Sequence, residues 1–315
     1  MKYSVILCTR NRPRELELCI TSLLPQTTPP DEVLIIDSSD TEKDEVRRIA
    51  EDKKFKALDI KYRHTAPGLT RQRNIGIQMA MGDILFFFDD DVELEKDYME
   101  KIVEVYQDKS LNNVGGVQGR DLNIKNSFLA GKRRLWFYRL FFIRRNDAFA
   151  KLLPSGNAVH LDVAAPEIRN ASRPIRIYVM SGCMMSFHRK VFNHNLFDER
   201  YEGYSLGEDV NFSFGIFPEY TMYATPKAKL RHNEFADKRK RNTSAEFAFL
   251  KIKSQVDLFR RHLRHNPLNY LALYWSWLGI LLWDCIIHPD RNSMIGDVRG
   301  IKREFFNVFK PVRSN

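Results

Sequence analysis

The strongest constraint on the fold lies in the first third of the chain, where short apolar runs alternate with segments whose apolar residues recur at helical spacing. SVILC (4–8), VLII (33–36) and ILFFF (84–88) are the runs, with IKY (60–62) a shorter one and VGGV (114–117) the start of another. Between them, Leu16, Ile20, Leu23 and Leu24 mark a helix opened by Asn11 and Pro13. Val46, Ile49 and Ala50 mark a short second helix, residues 68–81 read as a third, and Leu94, Tyr98, Ile102 and Val105 stripe a fourth. Runs apolar at every position are strands buried on both faces. Alternating with helices, they predict a mainly parallel sheet flanked by helices, an α/β architecture of Rossmann type. Ligands of such sheets bind at the carboxyl ends of the strands, where strand order reverses.

Those ends are where the chain turns polar. ILFFF runs directly into Asp89, Asp90 and Asp91, three adjacent carboxylates that repel one another unless something positive comes to them. A divalent cation bound to a phosphate meets that need. The competing reading is that the aspartates cap a helix beginning near Val92. Thr9 and Arg10 end the first strand, Asp37 ends the second, and GLTRQRNIG (68–76) supplies Arg71, Arg73 and Asn74 just before the aspartates. Asp37 can accept from a base N–H, Thr9 can bond a base edge, and an arginine can meet phosphate or ribose.

Composition narrows the partners. A surplus of 50 Lys and Arg over 40 Asp and Glu, a net +10, suits phosphate, nucleic acid or an acidic membrane. The basic residues are scattered and no nucleic-acid recognition motif occurs, so nucleic acid is not expected. A nucleotidyltransferase would place a glycine-rich phosphate loop after the first strand, and Thr9-Arg10-Asn11-Arg12 contains no glycine. Cys8, Cys19, Cys183 and Cys285 have neither disulfide-framework nor zinc spacing. With an N-terminal apolar run too short for a signal peptide, a cytoplasmic location is expected.

VILCTRNRP, IIDSS, GLTRQRNIG with GDILFFFDDDV, and later SGCMMSFHRKVF with FDERYEGYSLGEDVNFSF, together resemble family 2 glycosyltransferases of the GT-A fold over about residues 3–235. The resemblance implies inverting transfer of a sugar from a nucleotide-diphosphate donor to a hydroxyl, assisted by Mg2+ or Mn2+. It implies Thr9 and Asp37 at the base, with Arg10, Arg71 and Arg73 on the donor. Asp89, Asp90 and Asp91 share donor and metal, with Asp89 and Asp91 as the metal-binding pair. His232 completes the metal or pyrophosphate site, against the alternative of a structural histidine. The acidic pair after Tyr204-Ser205-Leu206-Gly207 supplies the base, Asp209, with Glu208 positioning the acceptor; the alternative is an acidic first turn of a helix. Gly182, and with it Cys183, falls on the acceptor side, where a glycine lets a sugar approach the backbone, or else marks a plain strand bulge. Lys238 to Arg241 are either a loop closing over diphosphate or a solvated face. A sugar-binding protein without catalysis is expected to have lost one of these carboxylates.

The remainder speaks to location. LWFYRLFFIRR (135–145), after Lys132, Arg133 and Arg134, mixes aromatics with cations. Residues 268–287 approach the ~20 apolar residues of a membrane span, but Asn269 and Asp284 intrude and Trp275, Trp277 and Trp283 are spread along it. A helix in the membrane interface is expected, flanked by Arg260, Arg261, Arg264 and His265, with a buried core helix as the alternative. The layout also resembles bacterial enzymes of surface-polysaccharide assembly, with a lipid-linked saccharide or glycan as acceptor. The expected division is a catalytic domain over 1–235, its nucleotide-sugar half about 1–120 and its acceptor half about 121–235, then a helical, membrane-associating region over 236–315.

Overall fold

The chain begins with β1 (Tyr3–Thr9), α1 (Pro13–Leu23), β2 (Glu32–Asp37), α2 (Glu45–Ala50), β3 (Ile60–His64), α3 (Leu69–Met79) and β4 (Ile84–Asp89). There follow β5 (Val92–Leu94), α4 (Tyr98–Gln107), β6 (Val114–Asp121), β7 (Lys151–Leu152), β8 (Ala158–Val159), β9 (Ile175–Ile177) and β10 (Met184–His188). Last come α5 (Glu208–Ile216), β11 (Thr221–His232), α6 (Ser244–His262), α7 (Pro267–Leu282) and α8 (Arg291–Glu304). This computed structural model describes residues 1–40, 45–123, 136, 137, 139–141, 150–159, 170–201, 206–233, 243–287 and 289–310. Lys132 to Arg134, most of 135–145, Tyr204, Ser205 and Lys238 to Arg241 lie outside the described residues.

Among the described residues nine strands form one sheet in the order β3-β2-β1-β4-β10-β6-β11-β5, with β9 also on β11. Its first half, from β3 to β4, is parallel throughout. Its second half is mixed: β10 runs antiparallel to β4 and β6, β11 runs parallel to β6, and β5 and β9 run antiparallel to β11. Both faces are covered. On one, Phe86 and Phe88 join Val5, Leu7, Leu16, Ile20 and Tyr98 in a single core. On the other, Phe87 meets the rings of Phe187, Phe192 and Phe197 at 5.7–6.1 Å. Burying each of these phenylalanines contributes about 1.5–3 kcal/mol, which anchors β4 against the desolvation of the carboxylates at its end.

One expectation fails here. No helix begins near Val92: residues 92–94 are β5, paired with Leu230 to His232, and α4 starts at Tyr98 behind Asp97. Leu94 therefore belongs to a strand, and Asp89 to Asp91 cap no helix. The cause is long-range, since the partner strand arrives more than a hundred residues later in the chain.

The chain divides into two compact units, 1–125 with 161–235, and 126–160 with 236–315. Sequence order had put 126–160 with the sheet, but its Phe137, Phe141, Leu153 and Val159 share a core with Ile252, Val256, Phe259, Leu273, Trp277 and Ile280. In that second unit α6 opens on a reciprocal Thr243–Glu246 capping box, and buried Gln255 donates to Ser155 O (2.7 Å) and Ser276 Oγ (2.8 Å).

Candidate active site

Parallel pairing brings the polar strand ends together. Asp37 is in register with Thr9, and Cys8 with Asp89, so β2, β1 and β4 leave the sheet at one edge. The loops there are stapled: Ser38 N–H donates to Thr9 O (3.0 Å), Asp40 N–H to Asn11 Oδ1 (3.0 Å), and Gln72 Nε2 to both Thr9 O (3.0 Å) and Ile36 O (2.7 Å). Asp37 is buried, accepting from Ser39 N (2.8 Å) and Tyr62 Oη (2.9 Å).

The three aspartates are not equivalent. Asp90 accepts from Thr9 Oγ1 (2.7 Å) and Arg12 Nη1 (2.6 Å), while Arg12 Nη2 donates to Asp91 Oδ2 (2.6 Å). One guanidinium thus offsets two carboxylates. The other oxygen of Asp91, Oδ1, is buried and accepts no hydrogen bond of normal geometry, although His232 Nε2 lies 2.9 Å away. Backbone pairing aims that histidine: His232 stands opposite Val92, its N–H donates to Asp121 Oδ1 (3.1 Å), and Asn233 N–H donates to Asp91 O (2.9 Å). Its Nε2 is also 3.9 Å from Asp89 Oδ2.

Electrostatics separates the group further. Burial pushes the Asp90 carboxyl up to about 7 against the pull of Arg12, and burial likewise raises Asp89. At Asp91 the cost of burial is outweighed by His232 and Arg12, which hold the carboxyl below its ordinary value. Asp91, then the Cys183 thiol, push His232 up to about 12. Asp89, Asp91 and His232 each offer a ligand atom, all within 4.8 Å of one another. Two carboxylates, one with a buried oxygen that faces only the imidazole among the described residues, and that imidazole nitrogen fit a divalent cation, and a six-coordinate ion would keep positions for oxygens from outside the protein.

The second cluster is built differently. Glu208, at the start of α5, forms a buried ion pair with Arg73 Nη1. Arg73 Nη2 reaches Gly182 O (3.3 Å) and Asp89 Oδ1 (3.9 Å), and the guanidinium lies 5.1 Å from the Phe197 ring. Burial and the charge of Asp209 raise the Glu208 carboxyl, with Arg73 opposing. Half-buried Asp209 accepts from Gly182 N–H (2.9 Å) and Val210 N–H (2.8 Å). A Cβ on Gly182 would stand 3.0 Å from Arg73 Nη2, 3.3 Å from Glu208 Oε1 and 3.4 Å from Asp209 Oδ2, so the backbone itself is the wall there. Arg73 therefore joins the two carboxylate clusters into one constellation.

Residues 4–196, more than half of the chain, match the model of glycosyl transferase family 2. The chain belongs to glycosyl transferase family 2. Among curated relatives of this family 2 chain, the glucosyl-dolichyl phosphate glucuronosyltransferase of Haloferax volcanii is 30% identical over 112 residues, 34% of each chain. A Nostoc glycosyltransferase described as uncharacterized is 28% identical over 164 residues, 50% of this chain and 47% of the relative. Less than half of either relative's length is matched. Among solved structures, PcManGT, a mannosyltransferase of Pyrobaculum calidifontis in complex with GDP-Man and Mn2+, has a TM-score of 0.56 at 17% identity, covering 96% of this chain and 80% of that one. GalNAc-T7 with UDP, GalNAc and Mn2+ gives 0.56 at 15%, covering 91% and 58%, and S. aureus TarS gives 0.54 at 14%, covering 98% and 49%. These likenesses establish the GT-A fold for this family 2 chain.

Three of the residues expected at the site sit apart from the carboxylates or behind them. Arg10 and Arg71 are surface side chains paired with Asp40 (2.6 Å) and Glu199 (3.2 Å), counterions supplied by their own neighbourhoods. Cys183 packs in the sheet core, and burial raises its thiol pKa. Sequence reasoning missed Arg12 and Gln72. Arg12 was legible in principle: three adjacent carboxylates need a fixed counterion as well as a ligand, and the loop after β1 is the nearest source of one. Gln72 left no signal, since nothing in a helix sequence says which glutamine will tie two strand ends together.

Proposed function

We propose that this glycosyltransferase inverts the anomeric carbon, moving a sugar from a nucleoside-diphosphate donor to a hydroxyl of a glycan or lipid-linked saccharide. The observation that carries this reading is the division of labour at one sheet edge. Asp89, Asp91 and His232 are arranged to hold a divalent cation, whereas the half-buried Asp209, which accepts from Gly182 N–H and Val210 N–H, is paired with no arginine among the described residues. Residues about 1–120 hold the donor, with Thr9 and Asp37 at the base, and about 121–235 hold the acceptor.

In the reaction, Asp209 takes the proton of the acceptor hydroxyl as its oxygen bonds to the anomeric carbon and the nucleoside diphosphate departs from the opposite face. One base suffices for a single inverting displacement. Glu208, fixed by Arg73, holds the first turn of α5 so that Asp209 keeps its orientation, and Gly182 lets Arg73, Glu208 and Asp209 converge on its backbone at the acceptor side. The cation, Mg2+ or Mn2+, supplies charge neutralisation of the departing diphosphate. The imidazole ligand favours Mn2+, and both PcManGT and GalNAc-T7 were solved with that ion. The dolichyl-phosphate substrate in the name of the Haloferax relative supports a lipid-linked acceptor. A role in surface-polysaccharide assembly at the inner face of the cell membrane follows from that acceptor class.

The test is calorimetry with a panel of UDP-, dTDP-, GDP- and CDP-sugars, with and without Mn2+, followed by transfer assays. Asp91→Ala is expected to abolish metal-dependent donor binding, and Asp209→Asn to leave it intact while stopping transfer. Near-normal turnover in Asp209→Asn overturns the base assignment, and donor binding without transfer by the wild type under every acceptor makes the protein a sugar binder.

A further inference from the structure

The second unit carries a surface that the transfer reaction does not use. Pro267–Ile287 is 21 residues long and apolar enough to cross a membrane. One face of α7 is nevertheless core. Leu273 and Trp277 are buried, Ser276 Oγ accepts from Gln255 Nε2 (2.8 Å), and Trp277 Nε1 donates to Gln255 Oε1 (3.2 Å). A Cβ on Gly279 would come within 2.4 Å of Phe141 Cβ, so the helix is in close contact with the 136–141 segment. Asp284, which interrupts the apolar run, lies close enough to Asp297 that, after burial, it is the main cause of that carboxyl's rise to about 7. Pulling α7 out to span a bilayer would expose this core, break both hydrogen bonds between Gln255 and α7, and carry the Trp277 indole N–H into hydrocarbon without its acceptor.

Among the described residues the opposite face is exposed, with Trp275 at its edge, stacked on Phe141 at 5.2 Å and donating Nε1 to Leu140 O (2.9 Å). Leu268 (76% exposed), Leu271 (64%), Trp275 and Leu278 follow one another at spacings of three and four residues, so they form one stripe. The turn after α8 extends it: Phe305 packs on Tyr274 with ring centroids 5.2 Å apart, Phe309 stacks on Tyr270 at 5.0 Å, and Phe306 beside them is 74% exposed. At the start of the stripe the charge is positive. Arg260 Nε donates to Lys310 O (3.0 Å), and exposed Arg264 accepts through its carbonyl from Asn269 Nδ2 (2.8 Å), which brings Arg260, Arg264 and Lys310 to the amino end of α7. From Arg260 to Trp283 the sequence holds no acidic residue.

We propose that this face of α7, with Phe306 and Phe309, lies in the plane of an anionic lipid bilayer, its apolar stripe among the acyl chains and Arg260, Arg264 and Lys310 on the headgroup phosphates. Aromatic side chains at the edge of an apolar stripe beside a basic cluster match the depth profile of a bilayer interface. A second copy docked through the same patch about a twofold axis would bring two such basic clusters together, which charge complementarity disfavours. The inference rests on the membrane-surface location proposed above and sharpens it from proximity to a defined docking face. Its test reads vesicle binding and never transfer, so its failure leaves the transferase reading standing.

The experiment is co-sedimentation of the full chain with vesicles of phosphatidylcholine alone or with about one-third phosphatidylglycerol, the latter raising binding through headgroup charge. The expected results are binding to the anionic vesicles that weakens with salt, and at least a tenfold loss in Leu271→Glu/Leu278→Glu at unchanged circular dichroism and Tm. Arg264→Glu/Lys310→Glu loses the preference for anionic over neutral vesicles. Brominated lipids quench Trp275 fluorescence, a signal absent from Trp275→Phe, and alkaline carbonate releases the protein. Equal vesicle binding by the leucine variant, retention after carbonate, or a solution dimer that this variant dissociates in the absence of vesicle binding each overturns the proposal.

Discussion

The two acidic clusters at the sheet edge answer the same electrostatic problem in opposite ways. At the end of β4, Arg12 takes one oxygen each of Asp90 and Asp91 and leaves Asp91 Oδ1 facing His232 Nε2 at 2.9 Å. At the start of α5, Arg73 pairs with Glu208 Oε1 while Asp209 N–H donates to Glu208 Oε2 (2.5 Å), and among the described residues Asp209 accepts from the backbone N–H groups of Gly182 and Val210. The first arrangement has spare ligand capacity at short range and suits a cation. The second keeps one carboxylate fixed and one available, which suits proton transfer. Adjacent aspartates and an adjacent Glu-Asp pair look alike in sequence; what differs is how much of each is already spent on an arginine.

The sharpest way to break this contrast is Asp209→Asn. Loss of a general base costs roughly 10²–10⁴-fold in turnover, and Mn2+ and donor affinity by calorimetry should not move. A parallel loss of metal affinity would merge the two clusters into one functional unit. Next, Arg73→Met removes one partner of a buried pair and is expected to destabilise the protein by about 3–5 kcal/mol, read by chemical denaturation. The double variant Arg73→Met/Glu208→Leu should recover much of that, which would sharpen the view that Glu208 is a positioning residue. Arg12→Ala should weaken Mn2+ binding by roughly 10–100-fold, the usual cost of losing a group that orients a ligand, with Arg12→Lys intermediate. Tighter binding of Mn2+ alone, followed by electron paramagnetic resonance, would mean that Arg12 only neutralises charge.

The smallest effect belongs to the helical unit. Burial, reinforced by Arg261, lowers His262 to about 4 from its ordinary 6.5. The unfolded chain therefore binds the proton more readily than the folded one, and stability is fully present above pH 6.5 and lost as pH falls from there toward 4. Thermal unfolding at pH 7 and pH 5 should show a lower Tm at the acidic value, with the difference reduced in His262→Asn.

The two halves of the sheet also differ in how far they could be read in advance. VLII and ILFFF are apolar at every position because helices cover both of their faces, and that pattern survives in sequence as a continuous run. β11 is less legible: TMYATPKAKLRH holds a proline and three cations, and it becomes a strand because β6, β9 and β5 supply its partners. The three residues of β5 carried a false helical signal for the same reason, since hydrogen bonding to Leu230–His232 overrides a local preference. The site divides along the same line. Asp89 to Asp91, Asp209 and His232 stood out by residue type and motif, whereas the pairing of Arg12 with Asp90 and Asp91, and of Arg73 with Glu208, did not.

What the sequence determined by itself was the alternation of strand and helix, and with it the sheet edge where polar strand ends must gather, because hydrophobic burial depends on patterns carried along the chain. Which carboxylates are neutralised, which keep a free oxygen, and which face of α7 remains uncovered were decided only by the folded chain. Coulomb attraction, ligation and burial all act over a few ångströms, and only the fold sets those distances between residues far apart in sequence.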